Sequence, residues 1–239
     1  MFKRGVSNVE MILAFLLFMG FVFVAVFFFL PKDAGRIVDS SLNYAMDDIS
    51  KNTSVEMISY SVKLYSEKIG SKETVAIEFP SNVIDLPANY NVYAENYSGT
   101  RLVAERVGPI MYVNWEGNTF ITLRFSEDIT PSQDQQGRPE LVGAYYSIAS
   151  SSTRRVLSEK RVIELNESYY NNYQITKDTL GLPGNIDFGF SLKYDNGYSI
   201  IAQKSVPTSL EVFSTSTHRE TTLVTSNQLL YGDLSVQVW

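Results

Sequence analysis

Residues 11–30 read MILAFLLFMGFVFVAVFFFL, a run without one charge. It is apolar all round, so it is no amphipathic surface helix. At ~1.5 Å per residue this is roughly 30 Å of helix, about the thickness of a bilayer's hydrocarbon core. The run is longer than the apolar core of a cleaved secretory signal, and no small-residue cleavage site follows it, so it is expected to stay with the chain. Pro31 ends or kinks that helix. Beyond it, apolar positions recur at Ala34, Val38, Leu42, Ala45 and Ile49, then at Val55, Ile58, Val62, Tyr65 and Ile69. These intervals of three and four predict an amphipathic helix with one buried stripe, bent near Asn52 and capped by Gly70.

From about Glu73 the pattern changes to strands. Glu73–Phe79 is short and β-rich. Ile110–Trp115 and Thr119–Phe125 flank Glu116-Gly117-Asn118, which reads as a hairpin. Phe188, Phe190, Leu192 and Tyr194 alternate before the turn Asp195-Asn196-Gly197, and a partner strand begins at Tyr198. The chain ends on a strand, Leu234–Trp239. Between these, Asn166 is placed to cap a helix running through Leu180, and residues 126–140, rich in Gln, Asp, Ser and Pro, read as an exposed loop.

Composition removes several functions. The chain has no cysteine, so disulfides and thiolate metal sites are excluded, and its one histidine, His218, gives His-based metal or triad chemistry little to work with. The net charge of −6 is spread without a basic stripe, which argues against nucleic acid as a partner. Glu127, Asp128 and Asp134 do not match the spacing of a calcium loop, and no catalytic elbow, zinc helix or phosphate loop occurs. No cofactor and no metal site are expected. Three N-x-S/T sequons, at Asn52, Asn96 and Asn166, are glycan candidates in an exported protein; Asn96, followed by Tyr97-Ser98-Gly99, has the most turn-like setting.

The most informative stretch is FKRGVSNVE, directly before the apolar run. A basic pair, Lys3-Arg4, precedes Gly5, and Glu10 stands at the start of the helix. This resembles the class III (type III) signal peptide of archaeal type IV pilin-like proteins, a family in which a membrane aspartic peptidase cuts after a basic-Gly pair. The match covers residues 1–30 and the rest only in outline. The resemblance implies cleavage between Gly5 and Val6 after recognition of Arg4-Gly5, and it puts Glu10 fifth in the mature chain, where a pilin carries its glutamate. The new amine at Val6 and the Glu10 carboxylate are four residues apart, on one helix face. Bacterial members usually begin with Phe; Val-Ser-Asn-Val-Glu is closer to archaeal ones.

The resemblance implies a fold of α+β class: a long N-terminal membrane and assembly helix followed by a β-rich, sandwich-like extracellular head. The expected divisions are a leader at 1–5, a transmembrane or filament-core helix at 6–30, an amphipathic extension at 31–70 and a head at 71–239. The implied partners are copies of itself or related pilins, the prepilin peptidase, the pilus assembly platform and the membrane. The chain would be single-pass, with a cytoplasmic N-terminus before processing, and would end in a cell-surface filament, with adhesion as one use. Two other readings compete: a signal-anchored surface binding protein that never polymerises, and a membrane-tethered extracellular hydrolase.

Overall fold

The computed structural model describes residues 8–29, 33–79, 86–132, 137–206 and 211–239. It divides after Ser41 into two units.

The first unit holds helix α1 (Asn8–Phe29) and the start of α2 (Asp33–Thr53). In the rest of α2, Leu42, Ala45, Met46 and Ile49 are buried in the second unit, the expected i, i+3, i+4, i+7 stripe. The helix stops where its polar side chains turn back on its own carbonyls: Thr53 Oγ1 donates to Ile49 O at 2.7 Å and Ser54 Oγ to Ser50 O at 2.5 Å.

The expected extension to residue 70 is overturned here. Residues Ser54–Leu64 form strand β1, and only a single turn, α3 (Ser66–Ile69), is helical after it. Gly70 does close that turn, at φ 65°, its N–H donating to Ser66 O at 3.0 Å. The false helical period has a physical cause. Met57 joins one core cluster, whereas Ile58, Tyr60, Val62 and Leu64 pack with another. Since alternate residues of a strand point to opposite faces, β1 changes which face it buries, and the change mimics spacings of three and four.

The remaining strands are β2 (Thr74–Glu78), β3 (Asn91–Asn96), β4 (Arg101–Leu102), β5 (Ala104–Val107), β6 (Ile110–Asn114), β7 (Phe120–Ser126), β8 (Tyr146–Ser158), β9 (Phe188–Tyr194), β10 (Ser199–Ala202), β11 (Phe213–Leu223) and β12 (Leu229–Val238). They build a nine-stranded sheet, β10-β9-β12-β11-β8-β1-β7-β3-β4, and a three-stranded one, β2-β6-β5. Every pairing is antiparallel except β8 with β11. Strand makes up 41% and helix 29%, so the expected α+β fold led by one long membrane helix gives way to a mainly β fold.

The small sheet and the β1-β7-β3-β4 part of the large one share a core. Tyr60, Phe79 and Phe125 meet there with ring centroids 4.7–5.9 Å apart, each buried ring contributing about 1.5–3 kcal/mol. Met111 and Val113 enter this core from β6; Ile121, Leu123 and Phe125 enter it from β7. The expected β6–β7 hairpin is therefore wrong: β6 pairs with β2 and β5, and β7 pairs with β1 and β3. The turn chemistry is present, with Glu116 at φ 48° and Gly117 at φ 75°. It carries the chain from one sheet to the other because both arms have apolar faces to bury in the same core.

The β9–β10 hairpin forms as the alternation predicts. Gly197 sits at φ 86° and its N–H donates to Tyr194 O at 3.0 Å. Helices α4 (Glu159–Asn171) and α5 (Tyr173–Thr179) replace the single expected helix. The cap is Ser158, at the end of β8, and Asn166 lies in mid-helix. Tyr169, fully buried, fastens α4 to the sheet: its hydroxyl donates to Phe188 O at 2.7 Å and accepts from Lys204 N at 3.1 Å.

Candidate functional site

Arg4, Gly5 and Val6, the residues at which the resemblance leads us to expect cleavage, all lie outside the described residues. Glu10 is described: it occupies the first turn of α1 and is exposed. A carboxylate at that position is favoured by the helix dipole by about 0.3–1 kcal/mol.

Above Glu10, α1 presents an apolar surface on all sides. Met11, Ile12, Leu13, Phe15, Phe21 and Val24 are between 54% and 72% exposed. A surface of this kind marks an interaction site, since it cannot be balanced by polar neighbours on the same helix. Among the described residues no helix is long and apolar enough to cross a membrane, which corrects the expected spanning helix at 6–30.

The sequons differ in setting. Asn96 opens the β3–β4 turn, where its Oδ1 accepts from Ser98 N at 3.0 Å and Thr100 N at 2.9 Å. That Asx turn points the sequon outward, and Tyr97 beside it is 92% exposed. Its Nδ2, the atom a glycan would take, lies outside both bonds. Asn52 is exposed on the last turn of α2, its Nδ2 donating to Asp48 Oδ2 at 2.9 Å. Asn166 is half-buried in α4, with a buried Oδ1.

The loop acids are engaged in structure. Arg161 Nε donates to Asp128 Oδ2 at 2.8 Å, its Nη2 to Glu127 Oε1, and its Nη1 to Ser54 O at 3.1 Å. The two carboxylates hold the guanidinium's pKa above its ordinary value, against the opposing effect of burial. One arginine thus ties α4, the start of β1 and the β7 exit loop together. Asp134 lies outside the described residues, as does the side chain of His218 within β11. No metal-ligating group of three or more His, Cys, Asp or Glu is found among the described residues.

A cleft of about 240 Å³ lies against β3 and β5, lined by Asn91, Glu105, Arg106 and Ser132 among others. Among the described residues its one carboxylate is that of Glu105, which accepts from Arg138 at 2.7 Å. Arg106 spends its guanidinium on main-chain carbonyls, at Leu86, Pro87, Tyr90 and Gly108. Among the described residues, converging acids, the feature a hydrolase would need, do not occur in this cleft. Sequence reasoning missed Arg161 and Arg106; neither partner set has a local spacing that would reveal it.

No family model, no characterised protein and no solved structure matches the chain.

Proposed function

We propose that this chain is the precursor of a structural subunit, a pilin or minor pilin (pseudopilin), of an archaeal type IV pilus-like surface filament. On this reading a prepilin peptidase cuts after Gly5, Val6 becomes the amino terminus, and the apolar segment carries assembly with copies of the chain or related pilins on the assembly platform. Before processing the leader lies on the cytoplasmic side of the membrane; after assembly the second unit faces the medium, with Asn96 as the first glycan site. The supporting observation is one of order: Arg4-Gly5, then Glu10, then an uncharged run whose described side chains from Met11 to Val24 are mostly exposed. Such a surface needs lipid or neighbouring helices around it.

Glu10 supplies the test. A carboxylate at the edge of hydrocarbon is costly without a counter-charge, and the amine released at Val6 of a neighbouring copy would provide one. Glu10→Gln and Glu10→Leu are expected to be cleaved and retained in the membrane, yet to enter sheared filaments at least about tenfold less, the effect of ~1.4 kcal/mol of lost pairing. Normal incorporation of Glu10→Leu refutes the role given to the charge. A wild-type chain that yields no sheared material beside its partner pilins favours a signal-anchored protein that does not polymerise.

A further inference from the structure

We propose that the open edge of β8 is a self-association surface, pairing antiparallel with the same edge of a second copy. The inference does not rest on the filament reading, because it uses the second unit alone.

On one side β8 pairs with β1 from Tyr146 to Leu157. On the other, among the described residues, it is joined to β11 only at Leu157–Thr222 and Ser158–Leu223. The two parallel strands separate beyond that point, and β8 is left with roughly 30 Å of unpaired backbone at ~3.3 Å per residue. Every residue from Ile148 to Arg155 is exposed, so neither face of the strand is covered here.

The edges at β10, β2 and β4 are blunted in the usual ways, whereas β11 shares the open gap with β8, since among the described residues it meets β8 only at Thr222 and Leu223. Tyr170 Oη donates to Ile201 O at 3.3 Å on β10, Tyr146 Oη bonds both N and O of Glu78 on β2, and β4 is a single pair, Arg101–Leu102. The edge of β8 has no such cover.

The sequence of that edge is complementary to itself. A bulge at Ala149 ends its regular stretch on one side, and the junction with β11 ends it on the other. With Ser152 placed on the two-fold axis, inside these limits, Ser152 faces Ser152 of the second copy, Ser151 faces Thr153 and Ser150 faces Arg154. Small hydroxyl side chains thus lie opposite one another, a favourable cross-strand pairing, and no arginine faces an arginine. A two-fold contact of this type uses one patch on both copies. The guanidinium of Arg154 has no ion pair within 4.0 Å among the described residues, so opposing it with a small residue displaces no partner.

Because the chain has no cysteine, a single introduced thiol reports the register. Facing residues in antiparallel strands have Cα atoms about 4.5–5.5 Å apart, within reach of a disulfide. In the proposed register the two copies of Ile148 are about 26 Å apart. Purified full-length Ser152→Cys in detergent should therefore convert mostly to a disulfide-linked dimer on mild oxidation, while Ile148→Cys and Tyr97→Cys remain monomeric. Absence of the Ser152→Cys dimer, or equal cross-linking of all three, overturns the proposal. If Ser152→Cys misfolds by circular dichroism, an equimolar mixture of Ser151→Cys and Thr153→Cys decides: cross-linking of the mixture beyond either protein alone supports the register, and its absence overturns it. Ser152→Glu, which places like charges opposite each other, should raise the dimer's Kd at least about tenfold in light scattering, and an unchanged Kd overturns the proposal.

Discussion

Tyr169 is the residue on which the packing of α4 against β9 and the segment after β10 depends most, and its hydroxyl gives two separable signals. Replacing it with Phe keeps the ring and its edge-on contacts with Tyr173, Phe188 and Phe190, at centroid distances of 5.0, 5.2 and 6.0 Å. The variant loses one donor to Phe188 O and one acceptor for Lys204 N. Phe188 is buried and Lys204 exposed, so the cost falls mainly on the carbonyl of Phe188, and leaving it unpaired costs about 1–3 kcal/mol at neutral pH. Burial also raises the phenol's pKa from 10.0 to about 12. The unfolded chain therefore loses this proton first as the pH rises. Stability due to the neutral phenol is fully present below pH 10 and is lost as the pH climbs to about 12, a loss of about 3 kcal/mol at ~1.36 kcal/mol per pH unit. Phe cannot ionise and does not contribute to that loss. Urea unfolding of wild type and Tyr169→Phe across this range should show the variant weaker at neutral pH and the gap closed or inverted near pH 12. A gap that stays constant from neutral pH to pH 12 refutes the reasoning, as does a neutral-pH difference below about 0.5 kcal/mol.

Arg161→Ala removes the clamp on Glu127 and Asp128 and leaves the Asp128 carboxylate, whose side chain is 8% exposed, with Lys160 Nζ at 3.8 Å. Because the arginine itself is 28% exposed, the expected loss is about 2 kcal/mol, less than the roughly 3–5 kcal/mol of a fully buried pair, and it is read by urea denaturation; a loss under about 0.5 kcal/mol contradicts the clamp. In material from an archaeal host, glycopeptide mapping should find Asn96 occupied more fully than Asn166, whose Oδ1 is buried in α4; full occupancy of Asn166 with Asn96 bare reverses that ranking.

The elements legible in the sequence are those in which one face of the chain has one fate. The β9–β10 hairpin alternates cleanly around a glycine at positive φ, and the final strand keeps Leu234, Val236 and Val238 buried. Part of α2 is readable for the same reason. Residues 54–69 mislead because β1, a central strand, buries first one face and then the other. The link at Glu116–Asn118 misleads because local turn signals do not say which strands pair. Asn166 reads as a cap because it precedes a polar helix, while the true cap, Ser158, lies at the end of a strand and its Oγ accepts from Arg161 N at 3.5 Å. Candidate processing chemistry is compact in sequence and so is visible there; the Arg161 and Arg106 clamps join distant segments and are not.

The central proposal stands or falls on where the mature chain begins. Mass spectrometry of the protein purified from cells is expected to give an amino terminus at Val6, with the apolar run retained. An intact Met1 terminus, or cleavage beyond residue 30, contradicts it.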